Sequence, residues 1–333
     1  MAMEKGKLDN ETLRRLVLGR TGAPREEVIT GAGIGEDCAI LDFGPYECVL
    51  STDPITATAE RIGTLAVHIS CNDIAASGAQ PLAILLTLLL PETVTEAEIA
   101  EIARQADEAA KALGIQIVGG HTEITDAVTQ PLVSATAVGR AAAGNSKHSA
   151  GRPALGDLII VTKQLALEGT AIAAERCAEE LRSVLTDEEH ARAVAMLGKI
   201  SVVKEGVAAG RVGARAMHDI TEGGVLGAVW EVCARAGVGA EIAAAALPFD
   251  AVTLKICAAL GLDPMRLISS GSMLIVIAEE KRAALFDAFA RAGADASVIG
   301  RIAERDAGVM LIQKNGGREK VAAPGPDEIY KIA

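Results

Sequence analysis

The sequence predicts an α+β fold divided into two domains, and three observations carry that reading. The chain has 333 residues, a length that suits two domains of roughly 100–200 residues each. Short apolar runs of strand length are interleaved with helical segments. Several strand candidates are neighbours in sequence, which favours α+β over one doubly wound parallel sheet. Residues 140–156, RAAAGNSKHSAGRPALG, are rich in Gly, Ala, Ser and Pro and lack a hydrophobic period, so they read as a connector. The boundary is placed near residue 150, giving domains 1–150 and 151–333.

The first helix is expected over about 11–19, capped by Asn10 and ended at Gly19. A glycine-rich loop, ITGAGIGED, covers 29–37, and short strands follow at 38–41 and 47–51. Residues 61–77 have helical apolar spacing and stop at Gly78. The run LAILLTLLL, 82–90, is bounded by Pro81 and Pro91 and reads as a strand buried on both faces. Thr95 and Glu98 form a capping box for a helix that Gly114 ends. Strands are expected at 115–118, before a tight turn at GGHTE, and at 132–139. In the second half, strands are expected at 157–162, 214–217, 238–242, 272–278, 296–302 and 308–313. Helices are expected near 169–181, 187–197, 201–209, 224–236, 250–260 and 281–292.

Composition excludes several function classes. Half the residues are hydrophobic but only 2% are aromatic, so the core is built from Ala, Val, Ile and Leu. With 32 basic and 44 acidic residues the net charge is −12, which argues against nucleic acid and anionic membranes as partners. The apolar run of nine residues is far below the ~20 that a membrane-spanning helix requires. The N-terminal MAMEKGKLDNETLRRL lacks a signal-peptide core, so a cytoplasmic protein is expected. Six cysteines, none in a CxxC pair, read as reduced thiols. The single HxxC, His68 to Cys71, has no second pair to complete a zinc site. The two-sided apolar strand at 82–90 needs more cover than one small sheet offers, so a homodimer is expected.

Five segments hold polar groups where chemistry could occur. Gly31, Gly33 and Gly35 let backbone approach a ligand, with Asp37 at the rim; the bland alternative is a surface loop. Asp53 ends a strand before Pro54, as a turn initiator also would. Asn72-Asp73 sits inside a helix among small residues, where an Asp is costly unless paired or metal-bound. Gly119-Gly120-His121-Thr122-Glu123 follows a strand. His218-Asp219-Ile220-Thr221-Glu222-Gly223-Gly224 joins a strand to a helix whose N-terminus could bind phosphate, although Thr221 could serve simply as a cap. Together they offer acids at 37, 53, 73, 123 and 219, the donor type that holds magnesium beside phosphate oxygens.

GIGEDCAIL, STDPIT, CNDIAASGAQP, VGGHTE and HDITEGGVLGAVWE occur in this order over nearly the whole chain. They resemble the aminoimidazole ribonucleotide (AIR) synthase superfamily, and within it the HypE-like hydrogenase-maturation proteins. The resemblance implies an N-terminal ATP- and Mg2+-binding domain whose sheet forms a barrel across a homodimer, and a C-terminal α+β domain. It implies that Asp37, Asp53, Asp73 and Glu123 bind metal. Gly33, Gly35, Asn72, Thr221 and Gly223 would contact the nucleotide, with Asp219 beside the reacting phosphate. Many relatives carry an acid where His121 stands, and Glu123 is its candidate replacement. HypE proteins end in a cysteine that carries the group being dehydrated, whereas this sequence ends PGPDEIYKIA. The implied reaction is ATP-dependent phosphorylation that activates a carbonyl-type oxygen or another small nucleophile, on a small molecule or a carrier protein. The alternatives are a small-molecule kinase resembling thiamine-monophosphate kinase, or a non-catalytic nucleotide-binding assembly partner.

Overall fold

The computed structural model describes residues 8, 10–34, 36–55, 61–143 and 152–332. Gly35 and the proposed boundary at 150 lie outside these residues. The N-terminal part holds α1 (Asn10–Leu16), β1 (Val28–Thr30), β2 (Ala39–Asp42), β3 (Tyr46–Ile55), α2 (Ile62–Ala76), β4 (Gln80–Leu90), α3 (Glu96–Leu113), β5 (Gln116–Ile124) and β6 (Leu132–Ala142). Its six strands pair in the order β1-β2-β3-β6-β4-β5, antiparallel except for β4 beside β5. The capping box is formed: Thr95 Oγ1 accepts from the Glu98 amide, and Glu98 accepts from the Thr95 amide. Gly114 closes α3 in the left-handed region.

The second part holds β7 (Leu158–Thr162), α4 (Leu167–Arg176), α5 (Ala178–Leu181), α6 (Asp187–Val194), α7 (Val203–Val212), β8 (Ala216–Ile220), α8 (Gly224–Ala236) and β9 (Gly239–Ala243). It continues through α9 (Ala251–Leu260), β10 (Ser272–Ile277), α10 (Arg282–Ala292), β11 (Ala296–Ala303), β12 (Val309–Ile312) and β13 (Arg318–Lys320). The seven strands run β13-β12-β9-β11-β7-β10-β8. Here apolar strands are truly buried on both faces. Ile159 and Val161 join the core under α8, while Leu158 and Ile160 join the one under α7 and α10.

Two expectations need correction. β4 is buried on one face only: Leu82 and Leu85 are 42% and 39% exposed. The helices α2 and α3 cover one side of this sheet, and among the described residues Leu82 and Leu85 on the other side stay exposed. GGHTE is not a turn but the middle of β5, which runs on to Ile124. Parallel pairing with β4 extends it, and Gly120 is needed there because a Cβ would collide with the Leu86 carbonyl.

One hydrophobic cluster is shared by the two halves. Leu167, Met196, Leu197, Ile200, Val203 and Val207 pack into the N-terminal cluster with α2. Among the described residues, no helix is long and apolar enough to cross a membrane.

Candidate active site

Four of the expected acids meet where α2, β3, the loop before β2 and β8 converge. Asp73 lies on the buried face of α2 and accepts a 2.5 Å hydrogen bond from Ser51 Oγ of β3. The same hydroxyl is 3.4 Å from Asp53 Oδ2. Burial pushes the Asp73 carboxyl well above the usual range, and Asp219, Asp53 and Asp37 add to the shift by repulsion. Alternation along β3 explains the pair: Ser51 points into the core and Asp53, two residues on, shares its face at the rim.

Asp219 arrives from the other domain. It lies inside β8 rather than in the loop beyond it, is 1% exposed, and its Oδ2 has no hydrogen-bond partner. Ligand atoms of Asp37, His218 and Asp219 lie within 4.8 Å of one another. Glu36, beside Asp37, reaches Arg235 of α8 at 3.5 Å, which ties the glycine loop to the second domain.

His218 is better understood as a cation than as a metal ligand. Nδ1 is 2.7 Å from the Asp219 carbonyl oxygen and Nε2 is 2.9 Å from Glu231 Oε2. Both neighbours are acceptors, so both ring nitrogens donate, which requires the imidazolium. Burial opposes that charge, but Asp37, Asp219 and Glu231 outweigh it and raise the pKa well above its ordinary value. The donors left for a hard divalent cation are carboxylate oxygens, the set that magnesium prefers. A buried, unpartnered Asp219 oxygen beside mutually repelling carboxylates fits such an ion, because the ion would satisfy both.

The remaining expected residues fall into different roles. Glu123 is exposed on the outer strand β5 and pairs with His121 at 3.2 Å. The register sets Asp53 opposite Ala135, Ala135 opposite Leu86 and Leu86 opposite Gly120. Glu123 is thus three strands, about 14 Å, across the sheet and about 10 Å further along it, so within one chain it is not drawn to the cluster. Asn72 is committed to the domain seam: its amide donates to the Ile200 carbonyl and accepts from the Val202 amide, both at 2.8 Å. That buried pair gives Asn72 a structural role at the seam. Thr221 acts through its carbonyl, which accepts from Gly224 and Ser269.

Gly223 and the α8 N-terminus also depart from expectation. The Gly223 amide donates to Asp327 Oδ2 at 2.6 Å. Asp327 Oδ1 accepts from Ile268 and Ile329. An internal carboxylate from the C-terminal segment therefore occupies the place expected for phosphate, favoured by the helix dipole. Gly33 lies in the loop beside Glu36 and Asp37, as expected.

Ser51, Glu231 and the seam role of Asn72 were not foreseen from sequence. Ser51 was visible as part of STDP, and strand alternation alone would have paired it with Asp53. Glu231 could have been found only from the helical spacing of α8 over β8.

Residues 35–141 match the family model "AIR synthase related protein, N-terminal domain", and 154–313 match its C-terminal counterpart. The carbamoyl dehydratase HypE of Rhodobacter capsulatus is 31% identical, over 88% of this chain and 84% of that protein. The carbamoyl dehydratase HypE of Escherichia coli is 30% identical, over 84% and 81%. The crystal structure of E. coli HypE superposes with a TM-score of 0.72 and 26% identity, covering 85% of this chain and 88% of that one. A structure of HypE in complex with ATP gives 0.73 at 22% identity, over 99% and 98%. With matched models over both halves and relatives of this similarity, the chain belongs to the AIR synthase related family.

Proposed function

We propose that this protein is a HypE-like, ATP-dependent enzyme that phosphorylates a carbonyl-type oxygen and thereby makes it a leaving group, in hydrogenase or related metalloenzyme maturation. The observation that carries the reading is the convergence of Asp37, Asp53, Asp73 and Asp219 from both domains, in a chain 31% identical to a carbamoyl dehydratase. Bound, Mg2+ and ATP supply the phosphoryl group and the charge that attracts it.

The protein's own residues do the positioning. Asp37, Asp53, Asp73 and Asp219 would hold the metal, with Ser51 fixing the Asp73 carboxyl. Asp219, with its free Oδ2, is the residue nearest to a catalytic role. His218, held charged by Glu231, offsets negative charge that builds up beside it. The glycine loop, anchored through Glu36 to Arg235, would cover the phosphates. In this reading the N-terminal domain binds nucleotide and dimerises, and the C-terminal domain closes the site.

The group to be dehydrated comes from another molecule. Of the six cysteines, Cys38, Cys71, Cys177, Cys233 and Cys257 are buried, and burial also raises the pKa of the half-buried Cys48. Burial pushes Cys71 and Cys257 up to about 12, far from the thiolate needed to accept a group. A small-molecule or carrier-protein carboxamide is the substrate class that follows. An ADP-release assay over carboxamide substrates tests this. Turnover that requires the carboxamide and disappears in Asp219→Asn is the expected result. A stable phosphorylated metabolite would make it a kinase instead, and Mg·ATP binding without turnover on any carrier would make it an assembly partner.

The open face of the N-terminal sheet supports a homodimer. Leu82, Leu85, Val118 and Ile124 are all exposed there or on the edge strand, apolar side chains of the kind that cluster at protein–protein interfaces. A second copy covering β4 and β5 would also bring another edge strand, with its His121 and Glu123, to each subunit. Light scattering at micromolar concentration is expected to give twice the 34.2 kDa chain mass. A monomer would end the shared barrel.

A further inference from the structure

A second, basic cleft opens on the far side of α2 from the carboxylates. His68 lines it, and Asp73 lies five residues on, about 140° around the helix. The cleft measures about 1210 Å³ and runs between α2, the 198–212 segment and α10. Lys199, Lys204, Arg211 and Arg291 line it and are exposed. Among the described residues none of these four has a carboxylate partner, whereas Arg104, Arg182, Arg192, Arg301 and Arg318 elsewhere on the surface are paired. Of the acids in the lining, Glu205 is bound to Lys163 at 2.8 Å, leaving Asp295 against four unpaired cations. In a chain of net charge −12, such a concentration of unpaired positive charge is a local inversion of the field.

The spacing selects the ligand class. Lys204 and Arg211 are seven residues apart on α7, two turns on one face, so their Cα atoms are about 10 Å apart. Lys199 extends the row beyond the helix start. Cations strung along an open trough do not converge on one phosphate. They suit an extended acidic segment, whose carboxylates, one every ~6.8 Å on one face, run along such a row and reach it through flexible side chains. The volume also exceeds the roughly 300–1,000 Å³ of most small-molecule sites. We propose that this trough docks an acidic, extended segment of a partner protein. Asn72 clamps residues 200 and 202, whose neighbours Lys199, Ser201 and Val203 line the trough, to the helix that carries Asp73.

The test reads binding, not turnover, so it stands apart from the proposed reaction. Fluorescein-labelled decaglutamate is titrated with the full chain at low salt and followed by anisotropy. Binding is expected, weakening steeply with salt, and falling at least tenfold in Lys204→Glu/Arg211→Glu, with an unchanged Mg·ATP thermal shift. Should that variant fail to fold, Arg291→Glu on the opposite wall takes its place and is expected to weaken binding severalfold. Absence of binding by the parent, or equal binding by the variants, overturns the proposal. So does complete displacement by stoichiometric tripolyphosphate, which would mark a small-anion site, or tighter binding of a single-stranded oligonucleotide to the same residues.

Discussion

Replacing Asp73 by Asn is expected to leave the ligand-free protein as stable as the parent, or more so, while activity falls by roughly 10²-fold or more. Asp73 is buried, accepts from Ser51, and faces Asp219, Asp53 and Asp37. Without metal these charges repel, so the carboxyl favours its neutral form, which an amide mimics in shape and size. Removing one charge relieves its neighbours, as substitutions at functional sites often do. The stabilisation added by ligand, RT ln(1 + [L]/Kd), shrinks because a metal donor is gone. Thermal melts with and without Mg·ATP measure both effects. If Asp73 merely satisfied the fold, the apo protein would lose about 1–3 kcal/mol and keep its full ligand shift. That outcome would remove Asp73 from the site.

The second large effect is a pH dependence centred on Glu168. This residue opens α4, is 4% exposed, and its Oε2 has no partner. Burial raises its pKa to about 7, Ser270 pulls the other way, and Asp327 and Glu222 add repulsion. The folded state therefore binds one more proton than the unfolded chain between about pH 4.5 and 7. Stability from this group is complete below the unfolded value and is lost as pH rises through the folded one. By pH 8 the loss is on the order of 3 kcal/mol. Glu168→Gln keeps the neutral shape without the titration. The variant should match the parent at pH 4 and exceed its urea midpoint at pH 8, with the gap opening between. Parallel stability curves across that range would show that the carboxyl is not held neutral.

The sequence by itself determined what depends on neighbours within a few residues. The Thr95–Glu98 capping box, the glycine at 114 and the 224–236 helix are local events of backbone hydrogen bonding. The two-domain α+β organisation followed from element order, and the ordered motifs located Asp37, Asp53, Asp73 and Asp219. Tertiary structure decided everything that joins distant residues. Whether an apolar strand is covered on one face or two depends on what packs against it: Gln80–Leu90, expected to be buried on both faces, is buried on one, whereas Leu158–Thr162 is buried on both. GGHTE became strand because parallel pairing with β4 supplied partners that its glycines do not advertise. Asn72 took a role in the seam because Ile200 and Val202, some 130 positions away, presented backbone groups to it. Asp327 filled the α8 N-terminus because the fold returned the C-terminal segment to a positive helix end. A buried polar group must find a partner wherever the chain brings one, and the spacing of residues along the sequence does not reveal that partner.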